Sequence, residues 1–348
     1  MKKLIARFFS MREAGVLLAL VVIMLFFGFS TSTFFTPNNL MNVLRQSSLL
    51  GIMTMAVTFL IISGEFDLSI GSTFALSGIS AIVMMESGMA PILAFLIALI
   101  FCCFIGLFNG LVVTKAKIPS FIATMATMMI VRSIVLVVSG SRPRVLGDRG
   151  LIAKIMGGAV LGDVFPVPII WLLVVVFVSW LLLSKTTFGY KVYATGGNIR
   201  AARLSGINTD RIKITNFVLT SFAAGFAGIV SLCFLRMVSP TQGAGYELDA
   251  IASTVIGGTA LAGGIGSIGG AFIGSFILAV IKNGLVLLGT NAYIQDAVLG
   301  AVILVAVVIN LQVAASRNGV RLGEQIRRVF LRRHQKEVTE ESDTGPGS

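Results

Sequence analysis

Long apolar runs alternate with short polar segments along most of the chain. A straight helix needs about 20 apolar residues to cross a bilayer, so each run predicts one membrane-crossing helix. The runs lie near residues 14–34, 47–63, 72–88, 91–114, 120–139, 167–184, 214–236, 250–262, 266–288 and 293–312. The pattern therefore predicts an all-α polytopic membrane protein with about ten transmembrane helices.

Two glycine-rich pieces near residues 64–78 and 250–270 interrupt this pattern, and their glycine-rich segments are residues 64–78 and 257–274. Non-helical backbone at membrane depth survives only where it is buried in protein or lines a cavity, so we expect broken or re-entrant elements there. Each segment belongs to one of two four-span blocks that start from opposite sides of the membrane. This arrangement predicts an inverted repeat, a transporter plan that places the pathway between the halves.

The composition supports a membrane protein and excludes most enzyme classes. Only 12% of the 348 residues are charged, whereas soluble domains contain about 25%. The three cysteines lie in apolar runs and suggest neither a disulfide framework nor a metal site. The chain has a single histidine, His334, and no G-x-x-x-x-G-K-[ST] motif. It is therefore not expected to form a catalytic triad, to bind a metal or a cofactor, or to hydrolyse ATP itself.

The net charge of +12 follows the positive-inside pattern rather than forming a nucleic-acid surface. Basic residues precede the first run, occupy the 115–117 loop and residues 185–213, and follow the last run. We therefore expect a cytoplasmic segment 1–13, a membrane domain 14–312 and a cytoplasmic tail 313–348, basic and then acidic and disordered at its end. The basic tail can also contact anionic lipid. One loop, residues 140–166, fits badly because it carries four basic residues on the predicted outer side.

Residues 185–213 form the most distinctive polar segment, with six Lys/Arg and one Asp between two apolar runs. Asn198 can cap a short helix at residues 199–205, and Gly206 can end it in a left-handed turn. Asn208 and Asp210 offer a second cap before the next run. A capped helix on the cytoplasmic face suits a partner protein, although an interfacial helix held at the lipid surface has the same pattern.

Several motifs together resemble the ribose/xylose/arabinose-type permeases of bacterial ABC importers, which are binding-protein-dependent inner-membrane components. The resemblance covers roughly residues 35 to 312. The motifs are NNLMNVLRQ at 38–46, IISGEFDLSIGS at 61–72, KIPSFIATMATM at 117–128, TTFGYKVYATGGNIRAARLSGI at 186–207, YELDAIASTVIGGTALAGGIGSIGGAFIG at 246–274 and NGLVLLG at 283–289.

This resemblance implies a multi-pass inner-membrane protein working with partners. Two permease subunits, identical or different, would form the pathway. An ATPase with two nucleotide-binding domains would bind ATP–Mg beneath it, and a periplasmic binding protein would deliver a monosaccharide. The loop at 185–213 would be the coupling loop that meets the ATPase, through Gly196, Gly197, Asn198, Ala201, Ala202, Arg203 and Gly206. The chain departs from the common pattern at Glu65–Phe66, where Gly–Ile is frequent, and at Ile199–Arg200, where Glu–Glu is common.

Ionisable and amide side chains near the membrane interior are candidates for the pathway or its gate. The candidates are Glu65, Asp67, Ser69, Asn109 and Asn283. For Asp67 the alternative is a cap on a helix starting at Leu68, with help from Ser69, and for the two asparagines it is interhelical hydrogen bonding.

Three further charged residues within the apolar runs are Arg132, Lys282 and Asp296. Arg132 is expected to face protein or water, and Lys282 is expected to pair with Asp296 across neighbouring spans.

Three functions remain open at this point. The first is a monosaccharide importer subunit working by alternating access. The second keeps this machinery but carries a nucleoside, a polyol or an autoinducer-2-like sugar. The third is a stand-alone secondary transporter, a class that usually carries coupling carboxylates in mid-span. Few acidic residues lie there in this chain.

Overall fold

The computed structural model describes residues 13–147, 150–160 and 165–317, and within these ranges the chain forms thirteen helices and four short strands. The predicted N-terminal segment before residue 13 and the tail beyond residue 317, with His334, lie outside the described residues. The helices are α1 (Ala14–Ser30), α2 (Pro37–Ile62), α3 (Ile70–Glu86), α4 (Pro91–Lys115), α5 (Ser120–Ser139), α6 (Gly150–Gly157), α7 (Val167–Lys185), α8 (Thr187–Gly197), α9 (Ile199–Leu204), α10 (Thr209–Leu235), α11 (Tyr246–Ile256), α12 (Ile268–Leu287) and α13 (Ala292–Arg317).

The strands form two small antiparallel pairs. Strand β1 (Arg144–Val145) pairs with β4 (Met237–Val238), which directly follows α10. Strand β2 (Ala159–Val160) pairs with β3 (Phe165–Pro166), which directly precedes α7. The polar segment between α5 and α7 is therefore fastened to the end of α10.

Among the described residues, six helices are long and apolar enough to cross a membrane: α2, α4, α5, α7, α10 and α12. Three shorter apolar helices cover Ala14–Ser30, Ile70–Glu86 and Tyr293–Val308. These elements confirm an all-α polytopic architecture. The apolar run at residues 250–262 is not one continuous span: α11 ends at Ile256 after only 11 residues and residues 257–267 are not helical, so the helix is broken in this glycine-rich region as expected.

The predicted second span began too late. Helix α2 starts at Pro37, ten residues before the apolar run at 47–63. Proline is favoured in the first turn of a helix, where its missing N–H is not needed. The residues that follow are polar and lower the hydropathy of this first part, so the apolar run did not include it. Asn39 is nevertheless buried.

Helices α2 and α10 form the centre of the bundle. The most apolar part of α2 is 89% buried. The corresponding parts of α4 and α5 are 28% buried, so these two helices present apolar side chains outward. Glycines bring α4 and α10 together: a Cβ on Gly110 would lie 2.9 Å from Ile214 Cα, and one on Gly106 would lie 2.8 Å from Val218 Cα. Small residues at such crossings let two backbones approach closely.

Two groups of polar contacts lie at the opposite ends of α10. At the end where α10 begins, here called the loop end, Lys115 Nζ lies 3.2 Å from Asp210 Oδ2 and Ser267 Oγ donates to Glu13 Oε1 at 2.9 Å. At the opposite end, about 40 Å away by helix rise, Arg144 pairs with Glu86. The 115–117 and 185–213 loops and the start of α1 therefore share one end, as the charge pattern predicts. The described parts of the 140–166 loop, residues 140–147, 150–160 and 165–166, lie at the other end.

Candidate functional site

The predicted capped helix is present in the 185–213 loop. Asn198 Oδ1 accepts hydrogen bonds from the backbone N–H groups of Arg200 (3.1 Å) and Ala201 (3.0 Å), which caps α9. The helix ends at Leu204, one residue before the predicted end, and Gly206 takes the left-handed conformation with φ +79°. The Ile207 N–H donates to the Ala202 carbonyl at 3.0 Å, which completes a Schellman motif. Both ends of a six-residue helix are thus closed by its own sequence.

We expect Asn198→Ala to loosen α9 without unfolding the bundle. Loss of an asparagine cap costs about 1 kcal/mol, which should speed amide exchange at residues 199–205 by about fivefold. Hydrogen–deuterium exchange with peptide resolution measures this, and Asn198→Ser is the control because serine also caps helices. Equal protection in Asn198→Ala and the parent protein would contradict a role for this cap.

Asp210 joins α9 to two other elements. Its Oδ1 accepts from Arg203 Nη2 at 3.0 Å, and its Oδ2 pairs with Lys115 at the end of α4. Arg203 Nε also donates to Thr209 Oγ1 at 2.9 Å. The cap at the start of α10 comes from Asn208, which accepts from the Arg211 N–H. Of the two predicted cap residues, Asn208 therefore caps and Asp210 holds the loop.

The outer face of α9 carries an apolar residue that the sequence analysis missed. Leu204 is 90% exposed, and Arg200 and Ala201 are exposed beside it. Ala202 is buried at 4% exposure and packs inward. The sequence feature that could have indicated this exposed residue is a single leucine within a basic segment. This face combines an exposed apolar residue with positive charge, which fits both a partner protein and the lipid surface.

Close backbone contacts fasten the end of α8 to the end of α2 and to the second glycine-rich segment. A Cβ on Gly196 would overlap the Ile62 carbonyl oxygen, and one on Gly264 would lie 2.6 Å from Gly197 Cα. The Gly264 N–H donates to that same Ile62 carbonyl at 2.8 Å. The loop after α2 and the loop before α12 therefore meet beneath the 185–213 loop.

The candidates Glu65, Asp67 and Ser69 lie in the turn between α2 and α3. Glu65 forms an ion pair with Lys213 of α10. Asp67 Oδ1 accepts from the Ser69 N–H at 2.8 Å and from Ser69 Oγ at 2.6 Å. Burial raises the pKa of the Asp67 carboxyl to about 6, against the lowering effect of the two Ser69 hydrogen bonds. Helix α3 begins at Ile70, so Asp67 closes an Asx-type turn before the helix instead of capping a helix at Leu68.

Asn109 lies fully buried in a hydrogen-bonded chain that starts at this turn. Asn109 Nδ2 donates to Ser69 Oγ at 3.0 Å, and its Oδ1 accepts from Thr127 Oγ1 at 2.7 Å. The chain links α3, α4 and α5. Its groups bond one another, which is the arrangement expected of interhelical hydrogen bonding.

Asn283 is engaged in the same way, on the other side of the bundle. Its amide and that of Asn39 exchange two hydrogen bonds of 2.9 Å, joining α12 to the first turn of α2. Asn39 Nδ2 also donates to the Phe34 carbonyl. The structure thus separates Asn283 from the Glu65–Ser69 turn.

The buried charges differ from the predicted pairing. Lys282 pairs with Asp249 of α11, and the predicted Lys282–Asp296 pair is wrong, since Asp296 is exposed. Asp249 ends an E-x-D motif with Glu247 that has the same spacing as Glu65 and Asp67. In each motif one carboxylate pairs with a lysine from another helix. This repetition was visible in the sequence and was missed because the lysines lie far away along the chain.

Arg132 contacts protein, as predicted. Its Nη1 donates to the Pro240 carbonyl at 2.7 Å and to the Gln242 carbonyl at 3.1 Å, in the loop before α11. These bonds hold the loop against α5.

Comparison with known proteins agrees with this architecture. The chain is 39% identical to Ribose import permease protein RbsC of Bacillus subtilis (strain 168), over 88% of this chain and 94% of that protein. It is 39% identical to Ribose import permease protein RbsC of Escherichia coli (strain K12), over 86% and 93% respectively. It is 33% identical to Xylose transport system permease protein XylH of the same strain, over 83% and 89%.

No solved structure matches the fold of this chain. The family described as "Branched-chain amino acid transport system / permease component" matches residues 39–307. That range contains α3 to α12 in full, with both glycine-rich segments and the 185–213 loop. The chain is therefore a multi-pass membrane protein that belongs to this family of transport permease components.

Proposed function

We propose that this chain is the membrane-spanning subunit of an ABC importer for a monosaccharide such as ribose or xylose. The observation that carries the proposal is the 185–213 loop, where the doubly capped helix α9 presents Leu204 and the preceding helix α8 makes close backbone contacts with the end of α2 and the second glycine-rich segment. The relatives named for ribose import and for xylose transport support the choice of cargo. A nucleoside, a polyol or an autoinducer-2-like sugar is the alternative cargo.

In this proposal a separate ATPase with two nucleotide-binding domains binds ATP–Mg and docks against α9 from the cytoplasm. Closure of that ATPase pushes α9, and the Gly196–Ile62–Gly264 contact passes the displacement to the loops after α2 and before α12. Because those loops begin α3 and α12, both halves of the bundle move together. A second permease subunit completes the pathway in the inner membrane, and a periplasmic binding protein delivers the sugar.

The test is reconstitution of this chain with its ATPase and binding protein in proteoliposomes, screening sugars one at a time. One loaded binding protein should stimulate both ATP hydrolysis and sugar uptake. Uptake by this chain alone, independent of the ATPase, would contradict the proposal and indicate a stand-alone transporter.

We expect Leu204→Glu to lower stimulated ATP hydrolysis by about tenfold or more, since losing an apolar anchor at an interface costs at least about 2 kcal/mol. Leu204→Met is the matched control because it keeps an apolar side chain of similar volume. Leu204 contributes little to the fold at 90% exposure, so both variants should be as stable as the parent. Full stimulation of Leu204→Glu would show that α9 does not dock through this face.

A further inference from the structure

The outward side of α7 carries a continuous stripe of large apolar side chains. Its exposed residues recur at helical spacing, and they are Leu173, Val174, Phe177, Val178, Trp180 and Leu181. Contacts between membrane helices favour small residues, and α7 contains neither glycine nor alanine. In a multi-pass membrane protein this stripe therefore faces the acyl chains of lipid.

The stripe ends at a lysine near the boundary of the hydrocarbon. Helix α7 rises about 27 Å from Val167 to Lys185, against a hydrocarbon core of about 30 Å. Trp180 lies about 7.5 Å before Lys185 on the same measure. Tryptophan is enriched at membrane–water interfaces, where the lipid headgroups lie. The part of α7 from Trp180 to Lys185 is therefore at headgroup level, at the loop end of the bundle.

Lys185 contacts an aromatic ring but has no acidic partner among the described residues. Its Nζ lies 5.4 Å from the centroid of the Trp180 ring, within the range of a cation–π contact. The centroids of the Trp180 and Phe177 rings are 6.2 Å apart. Lys115, at the corresponding end of α4, is instead paired with Asp210. Lys185 is thus an exposed cation that can bind an anion.

The start of α8 adds positive charge two residues beyond Lys185. Thr186 caps this helix by accepting the Gly189 N–H at 3.3 Å, and no acidic residue lies in the first turn. No acidic side chain there compensates the positive end of the helix dipole, and helix starts of this kind attract phosphate groups. The lysine and the helix start therefore act on the same region of the surface.

We propose that the loop end of α7 binds an anionic phospholipid, whose phosphate contacts the Lys185 ammonium beside the start of α8. Its acyl chains lie along the apolar stripe, past Phe177. The occupant is a lipid because the lipid-facing stripe continues directly into the site. Phosphatidylglycerol binds better than zwitterionic phosphatidylcholine, whose choline group would bring a second cation beside Lys185. This inference is independent of the cargo and of the ATPase.

The test measures which lipid lies beside Trp180 in the full chain. The chain has two tryptophans, so Trp171→Phe leaves Trp180 as the only one. This variant is reconstituted in phosphatidylcholine vesicles with a minor fraction of dibrominated phosphatidylglycerol or, separately, of dibrominated phosphatidylcholine. Bromine quenches tryptophan fluorescence at contact. One basic residue near an anionic surface corresponds to about fivefold in occupancy, so phosphatidylglycerol should bind beside Trp180 about fivefold more readily.

Three lysine substitutions in this background make the test specific. Lys185→Gln should abolish the preference, whereas Lys185→Arg should keep it, because arginine retains the charge and stacks on aromatic rings. Lys191→Gln is the matched control, since Lys191 is an exposed lysine of α8 that does not lie over an aromatic ring of the described residues. It should keep the preference.

Equal quenching of the parent by the two brominated lipids would overturn the inference. An equal loss of preference in Lys185→Gln and Lys191→Gln would also overturn it, because that result would show only a general attraction between a basic surface and anionic lipid.

A second measurement uses the chain with both tryptophans and does not depend on Trp171→Phe. Native mass spectrometry of the chain, taken from vesicles with equal amounts of the two lipids, counts the phospholipids that stay bound. Lys185→Gln should retain about fivefold less phosphatidylglycerol than the parent, and Lys191→Gln should match the parent. If Lys185→Gln retains as much phosphatidylglycerol but loses stimulated ATP hydrolysis in the complete transporter, a protein partner occupies this surface and the inference is overturned.

Discussion

Gly196→Ala is expected to lower coupled sugar uptake by about five- to 150-fold, because the added methyl group overlaps the Ile62 carbonyl oxygen. Overpacking costs about 1–3 kcal/mol. Loss of that much coupling free energy lowers coupled uptake by the same range of about five- to 150-fold. The Ile62 carbonyl also accepts the Gly264 N–H, so the substitution disturbs both partners of the contact. Uptake and stimulated ATP hydrolysis in proteoliposomes measure the effect.

The adjacent glycine provides a matched control. A Cβ on Gly197 would meet only Gly264 Cα at 3.9 Å, an ordinary van der Waals distance. Gly197→Ala should therefore keep at least the parent level of uptake. If both variants transport equally well, the contact between α8 and the loops beneath it does not carry the coupling, and another route from α9 must be sought.

Lys282→Met should produce the largest loss of stability, about 3–5 kcal/mol, because it leaves the buried carboxylate of Asp249 without its partner. Unfolding by denaturant in mixed micelles measures the free energy of unfolding.

Two further variants make this prediction specific. The double variant Asp249→Asn, Lys282→Met removes both charges and should recover most of the lost stability. Asp296→Asn should have little effect, because Asp296 is exposed and does not pair with Lys282. A large loss in Asp296→Asn, or no recovery in the double variant, would contradict the pairing.

Local features of the sequence were predicted well where neighbouring residues decide them. The cap of Asn198, the left-handed turn at Gly206 and the non-helical segments near residues 64 and 257 depend on side chains within three or four positions. The apolar runs identified most of the helices because lipid-exposed or buried helices need apolar residues along their whole length. The start of α2 was missed because Asn39 is stabilised by Asn283, more than 200 residues away.

The sequence alone therefore determined that this is an all-α membrane protein with a capped helix in a basic loop between two spans, since hydropathy and capping are local properties. The tertiary structure decided which distant groups meet. It paired Lys282 with Asp249, placed Gly196 against Ile62 and Gly264, and exposed Leu204. Such contacts depend on how the helices cross. Helix crossing is set by the close packing of small residues, and the order of residues along the chain does not show which small residues meet.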